Sequence, residues 1–330
     1  AAERGMNVLM LEKMKKPGRK LLLTGKGRCN ITNNLPASEF IDHVFPNGRF
    51  LRNVFSRFFS QDILLLLEKY GVPATLERGG RYFPTSNKAV DVLRAFQQWT
   101  EEVGVKINTG HRVEKLLVEN NKILGVQANE KLFNAKSVVL ATGGKSYPAT
   151  GSNGEGYELA KRIGHTIEFT RTSLVPIETE GDVAPKLQGL TLKNVKAVVW
   201  VNDKKAGEGF GEMLFTHFGL TGPIILTLSR IVVDALYKKN KVEVTVDLKP
   251  ALDEQKLDSR LLRDLNENGK KKVGNMFRSW LPSSMIPVFI DLLQIDPEKA
   301  CHQVSSNERK QIRYLLKNLK FKITGHRPYK

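Results

Sequence analysis

The sequence predicts an α/β fold of two or three domains, and three observations carry the prediction. Short continuous apolar runs at residues 7–11 and 137–141 end in an acid or in Thr-Gly-Gly, with helical-period segments between them. From about residue 170 the pattern changes to alternating strands, clearest at residues 190–202 and 241–248. Residues 252–318 then read as charged helix. The 330 residues are 41% hydrophobic, enough at this length for a sizeable core.

Residues 1–5 read as a last helical turn stopped by Gly5. Residues 7–11 follow as a buried parallel strand ending in Glu12. An acid at the carboxyl end of such a strand is how a dinucleotide-binding fold holds a ribose, because its oxygens accept the ribose hydroxyls. The glycine-rich phosphate loop of that fold lies about 20 residues before the acid. Only 11 residues precede Glu12, so the first strand and that loop are expected ahead of residue 1.

Residues 50–71 are predicted as one helix, apolar at Leu51, Val54, Phe55, Phe58, Phe59, Ile63, Leu66 and Leu67 and ended by Gly71. A turn at Gly79-Gly80 precedes a short strand, and residues 88–103 form a second helix closed by Gly104. Residues 105–107, 112–118 and 123–128 are short strands, and residues 137–141 a second buried strand. Gly151-Ser152-Asn153-Gly154-Glu155-Gly156 stands directly before a helical stretch at 157–163, where free N–H groups suit an anion. It also reads as an ordinary loop before a capped helix. Pro223 is suited to the first position of an apolar helix, and residues 319–325 look like a strand returning to the sheet.

The formal net charge is +18, from 52 basic against 34 acidic residues. Such an excess is large for an ordinary metabolic enzyme and favours a polyanionic partner, RNA or DNA ahead of an anionic membrane. Residues 238–330 carry 20 basic and 11 acidic side chains, a net of +9. The other 237 residues share the remaining +9, so the C-terminal part is the more basic per residue. No run approaches the length of a membrane-spanning helix. The two cysteines, Cys29 and Cys301, form no CxxC pair, metal cluster or disulfide framework. That fits a reducing cytoplasmic setting and argues against dithiol-exchange chemistry.

Several motifs in order closely resemble one family. They are Leu9-Met10-Leu11-Glu12-Lys13, Gly18-Arg19-Lys20-Leu21-Leu22 and Thr24-Gly25-Lys26-Gly27-Arg28-Cys29-Asn30-Ile31-Thr32-Asn33. Gly80-Arg81-Tyr82-Phe83-Pro84, Ala141-Thr142-Gly143-Gly144-Lys145-Ser146, the segment 151–157 and Leu174-Val175-Pro176 follow. The last is Met213-Leu214-Phe215-Thr216-His217-Phe218-Gly219-Leu220-Thr221-Gly222-Pro223. The chain resembles the BaiN/RdsA-type NAD(P)/FAD-dependent oxidoreductases, also labelled aminoacetone-oxidase-like flavoproteins. The resemblance implies a glutathione-reductase-like FAD-binding Rossmann domain, truncated at both ends, with an inserted β-barrel-like domain and a helical domain. The implied boundaries are 1–170 for the FAD domain, 171–250 for the β-rich domain, 251–318 for the helical domain and 319–330 for the return to the FAD domain. Truncation puts FAD binding by this chain in question.

Under that resemblance Glu12 takes the adenosine ribose, with Lys13, Arg19 and Lys20 nearby. Gly25 and Gly27 let the backbone approach the cofactor, Arg28 offsets phosphate charge or donates to flavin or substrate, and Asn30, Thr32 and Asn33 offer short-range polar contacts. Val113 lies where such flavoproteins touch adenine through the backbone, and Ala141, Thr142, Gly143 and Gly144 end a strand beside the cofactor. Cys29 reads either as a thiol at the flavin face or as a small buried apolar group. His217 reads as a proton donor or as a structural histidine. Arg81, Tyr82 and Thr216 are candidates for substrate contact, and Lys270, Lys271 and Lys272 for an RNA-facing surface. The implied activity is FAD-dependent reduction of a conjugated C=C bond with NAD(P)H as donor, on a uridine of large-subunit ribosomal RNA. Small-molecule enone reduction or amine oxidation, and a non-catalytic ribosome-binding module, are the alternatives. No metal, membrane or obligate protein partner is indicated.

Overall fold

The computed structural model describes residues 1–329 and divides into two compact units, Ala1–Glu168 and Phe169–Tyr329. In the first unit β1 (Leu9–Glu12) leads to α1 (Arg19–Leu23), β2 (Thr32–Asn33), α2 (Ala37–Asp42), α3 (Arg52–Phe55) and α4 (Ser60–Lys69). There follow β3 (Ala74–Glu77), β4 (Arg81–Pro84), α5 (Ala89–Glu102) and β5 (Lys106–Thr109). The unit closes with β6 (Val113–Glu119), β7 (Lys122–Ala128), β8 (Lys131–Asn134) and α6 (Glu155–Arg162). β1 pairs in parallel with β5, while β2-β4-β3 and β6-β7-β8 are antiparallel sheets. A core of Cys29, Leu67, Val72, Ala89, Val92 and Ala95 is flanked by Leu21, Leu22, Ile63 and Phe96, so α1, α4 and α5 share one apolar seam.

Three expectations for this unit are corrected. The run at 7–11 forms a strand, but Leu9 and Met10 are each 42% exposed. Among the described residues β1 pairs with β5 alone, and a parallel strand is buried only when covered on both sides. Residues 137–141 form no strand, and Val139 is 88% exposed. The single helix expected at 50–71 breaks at residues 56–59, where the Asp62 carboxylate accepts the Phe59 amide at 2.6 Å and starts α4 afresh. Val54 and Phe58, counted on the buried face, are exposed as a result.

In the second unit β9 (Ile177–Thr179), α7 (Val183–Lys186), β10 (Thr191–Val201), β11 (Lys204–Thr216) and β12 (Gly219–Thr221) precede α8 (Pro223–Tyr237). Next come β13 (Val242–Asp247), α9 (Glu254–Glu267), α10 (Val273–Met276), α11 (Ile286–Leu293), α12 (Ser306–Lys317) and β14 (Leu319–His326). The strands close a barrel in the order β10-β11-β12-β9-β14-β13. α8 contacts all six barrel strands through one face, with Ile224, Ile225, Leu228, Val232 and Val233 buried and Thr227 and Tyr237 exposed. Gly207, Gly209 and Gly211 alternate along one face of β11 and admit it: a Cβ at Gly207 would stand 2.4 Å from Ile231 Cδ1. The strand expected to return to the dinucleotide-binding sheet is instead β14, which pairs with β13 and β9 and closes the barrel. The helices α9–α12 belong to the same compact unit and bury Leu257, Leu261, Phe277, Phe289, Ile312 and Leu316 in one cluster with the barrel.

Candidate functional site

The segment at 24–33 folds through a run of left-handed backbone. Gly25, Lys26, Gly27 and Cys29 have φ of 57°, 59°, 87° and 63°. Two of the four are not glycine, and the strain is held by packing and by the Cys29 amide donating to the Thr24 carbonyl at 3.0 Å. A Cβ at Gly25 would meet Phe83 Cε1 at 2.8 Å and Asn30 N at 2.9 Å, so no side chain fits there. Gly27 faces open space, with nothing within 4 Å of such a Cβ. Thr32 and Asn33 then pair with Tyr82 and Arg81 across β2 and β4, which joins the two motifs into one sheet. Asn33 accepts the Leu35 amide at 3.0 Å and donates to the Gly79 carbonyl at 3.2 Å, and Thr32 meets the Ser60 hydroxyl at 2.7 Å. Asn30 is exposed beside this turn, and so is the Arg81 side chain.

Arg28 departs from its expected role. Its guanidinium forks onto Glu77 at 2.8 and 3.3 Å, donates to Asn87 at 3.1 Å and lies 4.0 Å over the Phe83 ring. It braces the loop against β3 and β4 with its charge already matched. Cys29 is a core residue: it is buried in the α1–α4–α5 seam, and burial pushes its thiol up against a smaller lowering by a hydrogen bond with Thr24. A neutral, water-excluded thiol is a poor nucleophile and a poor acid. Of the two sequence readings of Cys29, its burial fits the small buried apolar group.

A second cluster forms where β1 ends. Glu12 Oε1 accepts the Met14 amide at 2.7 Å, and its backbone carbonyl accepts the His111 amide at 2.9 Å, two residues before Val113. Glu12 Oε2 has no partner among the described residues. Lys13 reaches Asn153 at 2.9 Å and Glu155 at 2.8 Å, and Arg112 meets Glu155 at 2.8 Å. Burial alone would raise the Glu155 carboxyl, but hydrogen bonds from Lys13 and Asn153 and the charges of Lys13 and Arg112 outweigh it and hold it below the usual carboxylate range. Thr142, Gly143 and Gly144 join the same cluster: Cβ atoms at Gly143 and Gly144 would meet Ser152 and Tyr157 at 3.1 and 3.3 Å. A Cβ at Gly156 would lie 2.0 Å from Thr142 Oγ1. Ala141 precedes this turn, exposed.

Glu12, Lys13, Val113 and residues 142–144 are therefore gathered around the start of α6, and Gly25, Gly27, Arg28, Thr32, Asn33, Arg81 and Tyr82 around β2 and β4. Arg19 and Lys20 lie on α1, between the two groups in sequence, and neither has an ion-pair partner among the described residues. These residues fit an extended dinucleotide in two respects. The Gly25–Gly27 backbone offers a cradle with an open side at Gly27, and Glu12 keeps one carboxylate oxygen for a ribose hydroxyl. Lys13 and Arg28, with charges already matched, fit less well as phosphate partners.

The remaining candidates lie in the second unit. His217 and Phe218 form the two-residue tip between β11 and β12, the rings meeting edge to face at 4.9 Å. His217 is exposed and has no hydrogen-bond partner among the described residues. Thr216 is spent on the turn, its hydroxyl donating to the Gly219 carbonyl at 3.0 Å. Lys272 pairs with Glu298, Lys271 donates to the neutral Asn268 at 2.9 Å, and Lys270 is exposed. The triple therefore keeps two uncompensated charges.

Sequence reasoning missed Glu77 and Arg112. Glu155 lay within a quoted motif, but Glu77 is 49 residues from Arg28 and carries no local signal. Two surface clefts of about 370 Å³ are present, one lined by α2 and α3 residues and the other by Arg278 and its neighbours; neither includes a residue assigned to the cofactor.

The HI0933-like protein Rossmann domain family matches residues 1–270. A 3-dehydro-bile acid delta(4,6)-reductase from Clostridium scindens is 30% identical over 288 residues, 87% of this chain and 69% of that protein. The ribosomal RNA dihydrouridine synthase of Escherichia coli is 27% identical over 332 residues, 100% of this chain and 78% of that protein. That of Haemophilus influenzae is 24% identical, covering 88% and 69%.

Proposed function

The chain belongs to the HI0933-like Rossmann-domain family, an FAD-type oxidoreductase family, and from that premise we propose that it reduces a uridine of large-subunit ribosomal RNA to dihydrouridine with NAD(P)H as the electron source. The observation that carries the choice of substrate is the net charge of +18. A polyanion is bound through such an excess, and a neutral or anionic small molecule has no use for it.

Bound FAD supplies the hydride chemistry. The chain's own residues supply position and protons. Glu12, whose Oε1 is engaged by the Met14 amide, would hold a ribose hydroxyl through Oε2, and the open Gly27 side of the left-handed turn would let the backbone lie against the cofactor. Arg28 holds that turn through Glu77 and Phe83 rather than touching the reacting atoms. Arg81 and Tyr82, on the strand paired with β2, are the substrate-facing candidates beside it. His217, exposed and without a hydrogen-bond partner among the described residues, is the candidate proton donor. The target base must leave its stack to be reduced.

Enone reduction is the second reading, favoured by the 30% identity to the bile acid reductase. Incubation of the protein with FAD, NADPH and unmodified large-subunit rRNA, scored for dihydrouridine by mass spectrometry, separates the two. Dihydrouridine at a defined site is the expected result. Turnover of a steroid enone with no product in rRNA overturns it, and failure of NADPH to bleach the bound flavin removes both.

A further inference from the structure

The segment between α2 and α4 presents aromatic rings and arginines to solvent in alternation. Its inner side is rigid: the rings of Phe40, Phe55 and Phe59 meet at 4.8–5.5 Å. Gly48 packs so closely on the Ile41 carbonyl that a Cβ would stand 2.0 Å from it. On the outer side Phe50 is 82% exposed, Val54 51% and Phe58 49%. Leaving a phenylalanine almost wholly in water sacrifices burial free energy, and a contiguous set of such residues marks a contact surface.

Charge says what kind of contact. Residues 43–61 contain Arg49, Arg52 and Arg57 and no Asp or Glu. All three arginines are exposed and none has an ion-pair partner among the described residues. Arg49 adjoins Phe50 and Arg57 adjoins Phe58, so each planar cation stands beside a planar ring. Beside them is the cleft of about 370 Å³, with Ile41 and Phe55 as apolar lining and Ser38, Asp42, Arg52 and Ser56 as polar groups able to meet base edges. Forked cations match phosphate oxygens and exposed rings match base faces. A lipid surface fits less well: Asn47 and Asn53 would be drawn in with the rings, whereas membrane-lying helices keep polar groups on the opposite face.

We propose that residues 45–58 form a single-strand RNA-binding surface, with Arg49, Arg52 and Arg57 on phosphates and Phe50 and Phe58 stacked on bases. The proposal rests on the reading that the substrate is RNA. It assigns the contact to residues of the first unit rather than to the lysine triple.

The test is fluorescence anisotropy with the full chain and a labelled oligouridine of about 12 nucleotides, titrated between about 50 and 250 mM salt. Each phosphate contact to a single strand adds about 0.7 to the slope of log affinity against log salt. R49Q/R52Q/R57Q should lose about 2 from that slope and bind at least roughly tenfold more weakly, while the corresponding triple lysine variant keeps the slope. F50A/F58A should bind roughly tenfold or more weakly at unchanged slope. Circular dichroism spectra matching the parent show that the variants fold. A wild-type slope in the triple glutamine variant overturns the proposal, as does unchanged affinity in F50A/F58A. So does binding to phosphatidylcholine–phosphatidylglycerol vesicles that the same variants lose while oligouridine binding is kept. Dihydrouridine synthesis with unaltered KM for rRNA in the triple glutamine variant sinks this surface and leaves the enzymatic reading standing. Oligouridine binding through these residues without dihydrouridine synthesis does the reverse.

Discussion

Gly25 and Gly27 sit two residues apart in the same left-handed turn, yet alanine should do different things at each. Both substitutions carry the cost of placing an L side chain at positive φ, roughly 1–2 kcal/mol. For Gly27→Ala that is the whole expectation, because the new methyl meets nothing within 4 Å. For Gly25→Ala the methyl overlaps Phe83 Cε1 at 2.8 Å and Asn30 N at 2.9 Å. The ring cannot retreat: Phe83 is buried and covered by the Arg28 guanidinium at 4.0 Å. Overpacking of that kind adds about 1–3 kcal/mol, so Gly25→Ala should cost about 2–5 kcal/mol in all. Urea unfolding followed by circular dichroism gives both values. Flavin titration by fluorescence quenching gives the complementary result: Gly27→Ala, the milder change for stability, should weaken FAD binding by at least about tenfold, because its methyl projects where the cofactor is proposed to lie. Equal stabilities for the two variants would refute the packing argument around Phe83. Unaltered FAD affinity in Gly27→Ala would refute the cradle.

Cys29→Ala should cost about 1–2 kcal/mol through lost core packing while leaving FAD affinity and turnover intact, and iodoacetamide should label Cys29 only on unfolding. A large loss of turnover in a stably folded Cys29→Ala would restore the thiol to the chemistry. Glu155 is ionised more readily in the folded chain than unfolded, so its contribution is present above the ordinary glutamate range, about pH 4.3, and is lost as pH falls through the lower folded value. Glu155→Gln should therefore cost about 1–2 kcal/mol at neutral pH and flatten the acid limb of stability measured by urea unfolding; an unchanged acid limb counts against the Lys13–Glu155–Arg112 cluster. Lys317 holds Asp247 at 2.5 Å and also donates to the Lys249 and Leu252 carbonyls at 3.2 and 2.8 Å. Lys317→Met strands that largely buried carboxylate and should cost roughly 3 kcal/mol in the same measurement, a loss below about 1 kcal/mol showing the pair to be solvent-screened.

What was legible in the sequence was local. α5 begins beside Lys88 and stops before Gly104, and α8 begins at Pro223, because helix periodicity and end signals are written in neighbouring residues. The break at 56–59 was missed although its signal, Asp62 three residues beyond the cap, is local too; the apolar count across the break outweighed it. Strand burial was not legible at Leu9 or Val139, since an apolar run says nothing of which strands flank it. The closing pair of the barrel, β9 with β14, joins residues near 178 to residues near 325, and such a pairing leaves no trace in either segment. At the candidate site the motifs named candidate residues but not which of them meet. Thr32 and Tyr82 prove to be cross-strand partners, while Arg28 turns out to be bound to a carboxylate outside every motif.

The helix packed against the barrel has a thermodynamic corollary. α8 and the barrel share one core, with Val232 and Ile225 as tightly enclosed as any strand residue, so the two should come apart together. Amide exchange in the Ile225–Val232 stretch should then be as slow as in the central barrel strands, and thermal unfolding should show no separate transition for α8 ahead of the barrel.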